Sequence, residues 1–147
     1  MSGEKGTNYA NGILASILTA TFSQAAISSL LANAGSPLTN LYLSLHTADP
    51  TASGNQTSSE TSYTSYARAT VARSSSGWTV SSASANLTSA INFPACTGGS
   101  ATITYAALGT ASSGAGNLLY AGPVSPNISV SNGVTPQLTT GSTITES

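Results

Sequence analysis

The stretch LYLSLHTADP, residues 41–50, indicates most clearly which kind of fold the chain adopts. Leucine occupies every second position of its first half, and a tyrosine, a serine and His46 alternate with the leucines. Alternation of apolar and polar residues with a period of two is typical of a β-strand with one buried face. The pattern predicts that His46 lies on the polar face, at the surface or in an interface. The Asp-Pro pair that ends the stretch predicts a turn.

Short runs of the same character follow along the chain, separated by turns that are rich in Gly, Ser and Asn. We predict strands at Tyr66–Arg73, Trp78–Val80, Leu87–Phe93, Ala101–Leu108, Leu118–Ala121, Ile128–Val130 and Val134–Ile144. Many short, regularly spaced strands enriched in Thr, Tyr and Val are typical of sandwiches and jelly rolls. The predicted fold class is therefore mainly β, an antiparallel β-sandwich or jelly roll with one N-terminal α-helix.

The helix is predicted over residues 13–35, where apolar side chains recur every three or four positions before a Gly-Ser-Pro sequence ends the pattern. Residues 1–12 are polar and predict an extended N-terminal arm, and residues 38–147 are predicted to form the sandwich. At 147 residues we expect a single domain overall. The polar face of the helix carries Ser and Thr in place of Lys and Glu, so we expect residues 1–34 to be covered by a partner.

Charge is scarce: seven of 147 residues carry one, or 5%, where about 25% is usual in a soluble domain. The chain holds 27 Ser and 21 Thr in their place. The net charge of −1 provides no basic surface, which excludes nucleic-acid binding led by Lys and Arg. Residues 13–34 are too polar for a membrane-spanning helix. Near-zero charge also predicts low solubility for a free monomer, which a subunit buried in an assembly would not suffer.

Groups that could carry catalysis are scattered along the chain. His46 and Asp49 are close in sequence, but the nucleophile motif G-x-S-x-G is absent. The four carboxylates form no obvious acidic pair for glycoside hydrolysis, and one His and one Cys match no zinc or calcium spacing. We therefore expect no enzyme activity, no cofactor and no metal site, and we expect Cys96 to be a small buried residue.

Two arginines are candidates for ion pairs. Arg68 and Arg73 are five residues apart on a predicted strand, so their side chains should point to opposite faces. Asp49 and Glu60 flank one loop, and we expect ion pairing with Arg68 or Arg73. We predict that an Asp49–Arg68 ion pair anchors the loop 49–60, and that Arg73 faces solvent or a partner.

Aromatic residues on the predicted strands are expected in the core, whereas Tyr63 and Tyr66 beside the polar loop are better placed for contact with a partner. The suspected partner contacts are Tyr9, Ile13, Tyr63, Tyr66 and Arg73.

Several sequence segments, taken in order along the chain, resemble those of a known family. They are LYLSLHTADP (41–50), SYARATVAR (65–73), GWTV (77–80), INFPACTGGSATITYAALGTASSGAGNLLYAGPV (91–124) and NGVTPQLTTGSTIT (132–145). Together they are similar to a family of small virion proteins of tailed bacteriophages, whose members are labelled tail-fibre proteins or capsid decoration (cement) proteins. The resemblance covers residues 38–146 and contains no catalytic motif.

The resemblance implies a structural virion component with no cofactor, assembled in the cytoplasm of the bacterial host. Its first implication is a jelly-roll decoration protein on the outer capsid surface, which as a dimer or trimer bridges neighbouring major capsid proteins. Its second is a tail or tail-fibre component that binds host surface glycans. Neither role involves nucleic acid or a membrane as a partner.

Overall fold

The protein is described by a computed structural model, which covers residues 7–20 and 38–145. The fold is mainly β with antiparallel sheets and one short N-terminal helix, so the predicted class is confirmed and the arrangement is consistent with a β-sandwich. Helix α1 spans Thr7–Leu14 and continues as a π-helical turn, Ala15–Thr19. The strands are β1 (Asn40–His46), β2 (Ala69–Ala72), β3 (Trp78–Ser81), β4 (Ser84–Leu87), β5 (Ile91–Asn92), β6 (Ala101–Gly109), β7 (Leu118–Val130), β8 (Gln137–Leu138) and β9 (Thr143–Thr145).

The chain divides into two compact units, each of which is described by itself. The first unit comprises residues 1–39, 72–90 and 139–147, and the second comprises residues 40–71 and 91–138. The predicted arm, helix and single sandwich domain follow other boundaries, and the single domain stays a prediction.

The second unit is built on a four-stranded sheet in the order β2-β1-β6-β7. β1 and β6 are antiparallel, with Tyr42 opposite Gly109 and His46 opposite Tyr105. The three leucines of β1 are buried, as the alternation predicts, and they pack in a core with Ile103 and Leu108. A two-stranded ribbon, β5-β8, belongs to the same unit.

Two residues on the second face of β1 are buried as well, which corrects the prediction for His46. Both Ser44 and His46 are 0% exposed. β1 is an inner strand of the sheet, and the chain that follows it folds back so that Glu60 forms an antiparallel bridge with His46. The polar residues of the strand therefore meet protein where the sequence pattern predicted a surface or interface position.

The first unit contains the three-stranded sheet β3-β4-β9 and the helical segment. Helix α1 lies against β3 and β4. Leu14 and Leu18 are fully buried, as is Ala85, and Trp78 is 2% exposed. This small apolar core is the reason that the short helix is stable, since most helical stability in proteins comes from packing of an apolar face.

The helix differs from its predicted position. Residues 7–12, predicted as part of the arm, are helical, and Ala10, Gly12 and Leu14 of this helix are buried. The helical segment ends at Ala20, which adopts a left-handed conformation with φ 53°; residues 21–35 of the predicted helix lie outside the described residues. Ser16 and Thr19 donate their hydroxyls to carbonyls of the preceding turn, so part of the polar face is satisfied within the helix itself.

Two predicted strands have different limits. The run 87–93 is divided between β4 and β5, with a bend at residues 88–89. β7 is a single strand of 13 residues that continues through Pro123 and Pro126, where the sequence predicted two strands. β7 lies at the edge of its sheet and its register with β6 breaks near these prolines, so the missing N–H groups cost few ladder hydrogen bonds.

Candidate functional site

Two loops of the second unit are held together by one arginine. We call residues 47–65 the long loop and residues 110–117 the hairpin loop. The Arg68 guanidinium donates from Nε and Nη2 to the two carboxylate oxygens of Glu60, both at 2.7 Å. It also donates to the carbonyls of Ala111 at 2.9 Å and Gly114 at 2.8 Å. A single planar cation therefore binds both loops, which the fork of five donors on arginine allows.

The Glu60 carboxylate has a second partner. The Tyr66 hydroxyl donates to its Oε1 at 2.8 Å and accepts the backbone N–H of Leu45 at 3.1 Å. Burial raises the pKa of Tyr66 far above its usual range, so the phenol stays a donor at any physiological pH. The hydrogen bonds to Glu60 raise the pKa of Arg68. Glu60, Arg68 and Tyr66 thus form a hydrogen-bonded cluster that holds the long loop against β1.

Gln56 forms a second link between the loops. Its side chain is fully buried, and the side-chain Oε1 accepts the N–H of Ala111 at 2.9 Å. The backbone N–H of Gln56 donates to the carbonyl of Gly116 at 3.0 Å. A Cβ atom added to Gly109 or Gly116 would overlap the Gln56 side chain. The two glycines therefore leave the space in which this amide lies.

His46 is held by hydrogen bonds at both ring nitrogens. Nδ1 lies 2.8 Å from the Ser58 carbonyl, which can only accept, so Nδ1 carries the proton. Nε2 then accepts the Ser44 hydroxyl, also at 2.8 Å. Neither side chain is exposed, so the Ser–His pair fastens the long loop to β1 and has no surface on which to meet a substrate.

The burial of His46 makes stability depend on pH. Burial lowers the pKa of His46, an effect that the Ser58 hydrogen bond and nearby Glu60 oppose and that Arg68 reinforces. Because the unfolded chain binds a proton before the folded one does, the free energy of unfolding should fall as pH drops through 6.5, the ordinary pKa of histidine. The slope should reach at most about 1.4 kcal/mol per pH unit and should vanish below the folded-state pKa.

Urea denaturation at a series of pH values between neutral and mildly acidic tests this dependence. His46 is the sole histidine of the chain, so His46→Gln is a clean control that should remove the slope whatever its own stability. An equal slope in that variant would show that another group titrates.

The predicted Asp49–Arg68 ion pair is correct in its arginine and wrong in its acidic partner. Asp49 is exposed, and its Oδ1 accepts the N–H of Thr51 at 2.8 Å in a local turn. Arg68 pairs with Glu60 in its place. The long loop returns antiparallel to β1, which brings Glu60 opposite His46 and leaves Asp49 at the bend.

The two tyrosines predicted to contact a partner beside the loop pack and form hydrogen bonds within the second unit. Tyr63 is 4% exposed, and its hydroxyl donates to the Pro94 carbonyl at 2.8 Å, so Tyr63 as an exposed contact is wrong. Its ring packs edge-on against Tyr66 with the centroids 5.3 Å apart. Tyr66 is half-buried, and its hydroxyl serves the Glu60 cluster.

Arg73 is likewise an internal residue, in the first unit. Its guanidinium donates to the carbonyls of Ser16 at 2.5 Å, Ile17 at 2.6 Å and Leu38 at 3.2 Å. Carbonyls in the last turn of a helix lack partners within the helix, and a basic side chain that binds them stabilises that end. Arg73 is half-buried and bound to carbonyls of its own unit, and its contact with a partner stays a prediction. Ile13 is half-buried in α1, where Tyr9 also lies, and both stay predicted contacts.

These arrangements leave a surface almost without charge. Within residues 7–20 and 38–145, Asp49 is the sole exposed charged residue, because the other three are bound as described above. The same residues expose a single large apolar side chain, Leu38, at 46%. Ser, Thr, Asn, Gly and Ala make up most of what remains exposed. The described surface thus consists mainly of hydroxyl and backbone groups, with few charged or apolar side chains.

Other chemistry is sparse in the described ranges. They contain no cluster of three or more His, Cys, Asp or Glu residues that could hold a metal ion. Cys96 is buried and unpaired, as expected. No helix there has the length and apolar character to cross a membrane. Sequence reasoning did not identify Gln56 or the cradle formed by its two glycines, since single residues in a polar loop carry no periodic signal.

No curated protein matches the chain. A family model described as podophage GP4 fiber I protein gp80 matches residues 17–146, which is most of the chain and covers all of the second unit and most of the first. The match supports the coarser part of the resemblance, a structural protein of the phage virion. The chain belongs to the podophage GP4 fiber I protein gp80 family.

Proposed function

We propose that the chain is a structural subunit of a virion fibre in a tailed phage. The observation that carries this is the family match over residues 17–146, whose description names a fibre protein. Membership in a phage virion family supports a location in the particle, and the word fibre favours the tail over the head surface.

The nearly uncharged surface supports a role as a subunit that packs against other copies of the chain in an assembly. Burying a charge that lacks a partner is costly, whereas hydroxyl and backbone groups can be buried when they find hydrogen-bond partners. Within the described residues the cations are already satisfied internally, by Glu60 and by backbone carbonyls. Contact between copies would therefore desolvate few charges, which favours a homo-oligomer, the dimer or trimer that the resemblance implies.

The same surface favours a second candidate, a capsid decoration protein that bridges major capsid proteins on the head. The two roles differ in copy number. A decoration protein follows the capsid lattice and approaches the abundance of the major capsid protein, whereas a fibre subunit follows the symmetry of the tail.

Absolute quantification of both proteins in purified virions by mass spectrometry separates these roles. The chain has only three Lys and Arg residues, so digestion after aromatic and leucine residues gives better peptides than trypsin does. We expect far fewer copies than of the major capsid protein, and immunogold label at the tail. Abundance near that of the major capsid protein, with label over the head, would reject the fibre role and support decoration.

A further inference from the structure

We propose that the outer edge of β7 pairs with the same edge of a second copy of the chain, about a twofold axis at Ala121. β7 is the last strand of its four-stranded sheet, and no strand of the described residues lies beyond it. An unpaired edge strand presents a row of backbone N–H and carbonyl groups that a strand of another chain can bind. The inference rests on the proposed assembly from copies of the chain and deepens it by naming the contact surface.

The hydrogen bonds of β1 show which backbone groups of β7 point outward. The Leu45 N–H donates to the Tyr66 hydroxyl at 3.1 Å, and the Leu45 carbonyl accepts the N–H of Thr61 at 2.9 Å. Both groups of Leu45 therefore point away from β6, where Ala106 lies opposite. Because backbone groups alternate in direction along a strand and across an antiparallel pair, the N–H and carbonyl of Ala106 point toward β7, where Gly122 lies opposite.

Ala121, the neighbour of Gly122, consequently turns its N–H and its carbonyl to the open edge. The register between β6 and β7 is regular from Tyr105 to Leu108, which includes this position. Pro123 lies two residues further on, so its carbonyl points to the same side and its missing N–H is no loss to the ladder with β6. Ala121 and Pro123 are both exposed. The open edge thus presents one donor and two acceptors within three residues.

A second copy of the chain has an edge that complements this one. With Ala121 opposite Ala121, the two copies exchange two N–H···O bonds, and each Pro123 carbonyl lies opposite residue 119 of the other copy. Like charges that face each other across two strands are destabilising, so an edge that pairs with itself must be uncharged near the axis. Residues 74–145, which include β7, contain no Lys, Arg, Asp, Glu or His. A charged partner strand would find no opposite charge here.

The remainder of β7 limits this pairing to a short segment. Ile128 lies opposite Ile103 and Pro123 lies opposite Tyr105, so the four residues 124–127 of β7 face a single residue of β6. Irregular segments of this kind protect an edge from open-ended pairing. A twofold contact uses the same surface on both copies, so it closes after two copies and builds no filament. The pair would join two four-stranded sheets into one sheet of eight strands.

Analytical ultracentrifugation of the purified full chain, from micromolar to millimolar concentration, tests the pairing. Few hydrogen bonds hold the two copies, so we expect a monomer in dilute solution and a dimer at millimolar concentration, a contact that high local concentration in a virion would strengthen. Amide hydrogen exchange measured by nuclear magnetic resonance gives a second readout. Exchange at Ala121 should slow as the dimer forms, whereas Gly122, which is bonded to β6, should exchange slowly at every concentration.

Ala121→Lys separates the edge contact from the fold. Position 121 is exposed, so the lysine should leave the free energy of unfolding nearly unchanged. Across the twofold axis each lysine would face its copy, which should weaken dimerisation about tenfold. Thr70→Lys is the matched control, because it adds the same charge at an exposed position of β2, the opposite edge of the same sheet, and it should dimerise like the parent chain.

The edge pairing is wrong if the chain stays monomeric at millimolar concentration, if exchange at Ala121 is independent of concentration, or if Ala121→Lys dimerises as well as Thr70→Lys does. A trimer would also reject it, because a twofold edge contact joins two copies only. Oligomers that withstand Ala121→Lys would reject the β7 edge and leave self-association through another surface standing. Copy number in virions tests the fibre role separately, so either can fail while the other stands.

Discussion

Replacing Arg68 by methionine is expected to lower the free energy of unfolding by about 3–5 kcal/mol, the usual effect of removing one partner of a buried ion pair. Arg68 has a side chain only 2% exposed and Glu60 one that is 14% exposed, so the carboxylate would remain largely buried without its cation. The carbonyls of Ala111 and Gly114 would lose their donors at the same time. Urea denaturation followed by tryptophan fluorescence measures the change.

Two controls show whether the unpaired charge is the cause. Asp49→Asn removes the exposed carboxylate and keeps the acceptor for Thr51, so it should change stability by no more than about 0.5 kcal/mol. The double variant Glu60→Gln with Arg68→Met removes both charges and should be more stable than Arg68→Met alone. Equal stability of Arg68→Met and Asp49→Asn would contradict the anchoring role of Arg68.

Replacing Gly109 by alanine is expected to lower the free energy of unfolding by about 1–3 kcal/mol, the range for overpacking a filled interior. The new methyl group would overlap the Gln56 side chain, which is fully buried and cannot move away without breaking its hydrogen bonds to the hairpin loop. The same denaturation experiment applies.

Gly122→Ala is the matched control, because it makes the same change in the neighbouring strand β7, where no atom lies within 4 Å of the added Cβ. That variant should be neutral or slightly more stable, since alanine restricts the unfolded chain. In a Gln56→Ala background, Gly109→Ala should lose most of its effect. Similar decreases in the free energy of unfolding for the two glycine variants would show that overlap with Gln56 is not the cause of the effect at Gly109.

Local pattern predicted the elements that are regular over their whole length. The leucines of β1 are buried where the alternation placed them, and β3 and β6 begin at the predicted residues, Trp78 and Ala101. Elements whose limits depend on neighbours were predicted less well. β7 continues through two prolines because it is an edge strand, and edge position is a property of the sheet that no single segment carries.

The candidate site shows the same division. The sequence predicted that an arginine at position 68 anchors the long loop, from its charge and its place on a strand. Its partner depends on the path of the loop, which turns at Asp49 and returns with Glu60 beside β1. Tyr63 and Tyr66 were expected at the surface because their neighbours are polar, but those neighbours face outward while the two rings pack together.

The sequence by itself determined the β class, the scarcity of charge and the membership of a phage virion family, because strand periodicity, composition and ordered phrases are all carried by local residues. The tertiary structure alone decided that Arg68 and Arg73 bind partners within the chain, that His46 is buried, and that a pocket lined largely by Ser and Thr includes Glu60. The physical reason is that the partners of a side chain depend on which segments come into contact after the loops close. The number of residues between Glu60 and Arg68, or between Gln56 and Gly109, does not predict these contacts.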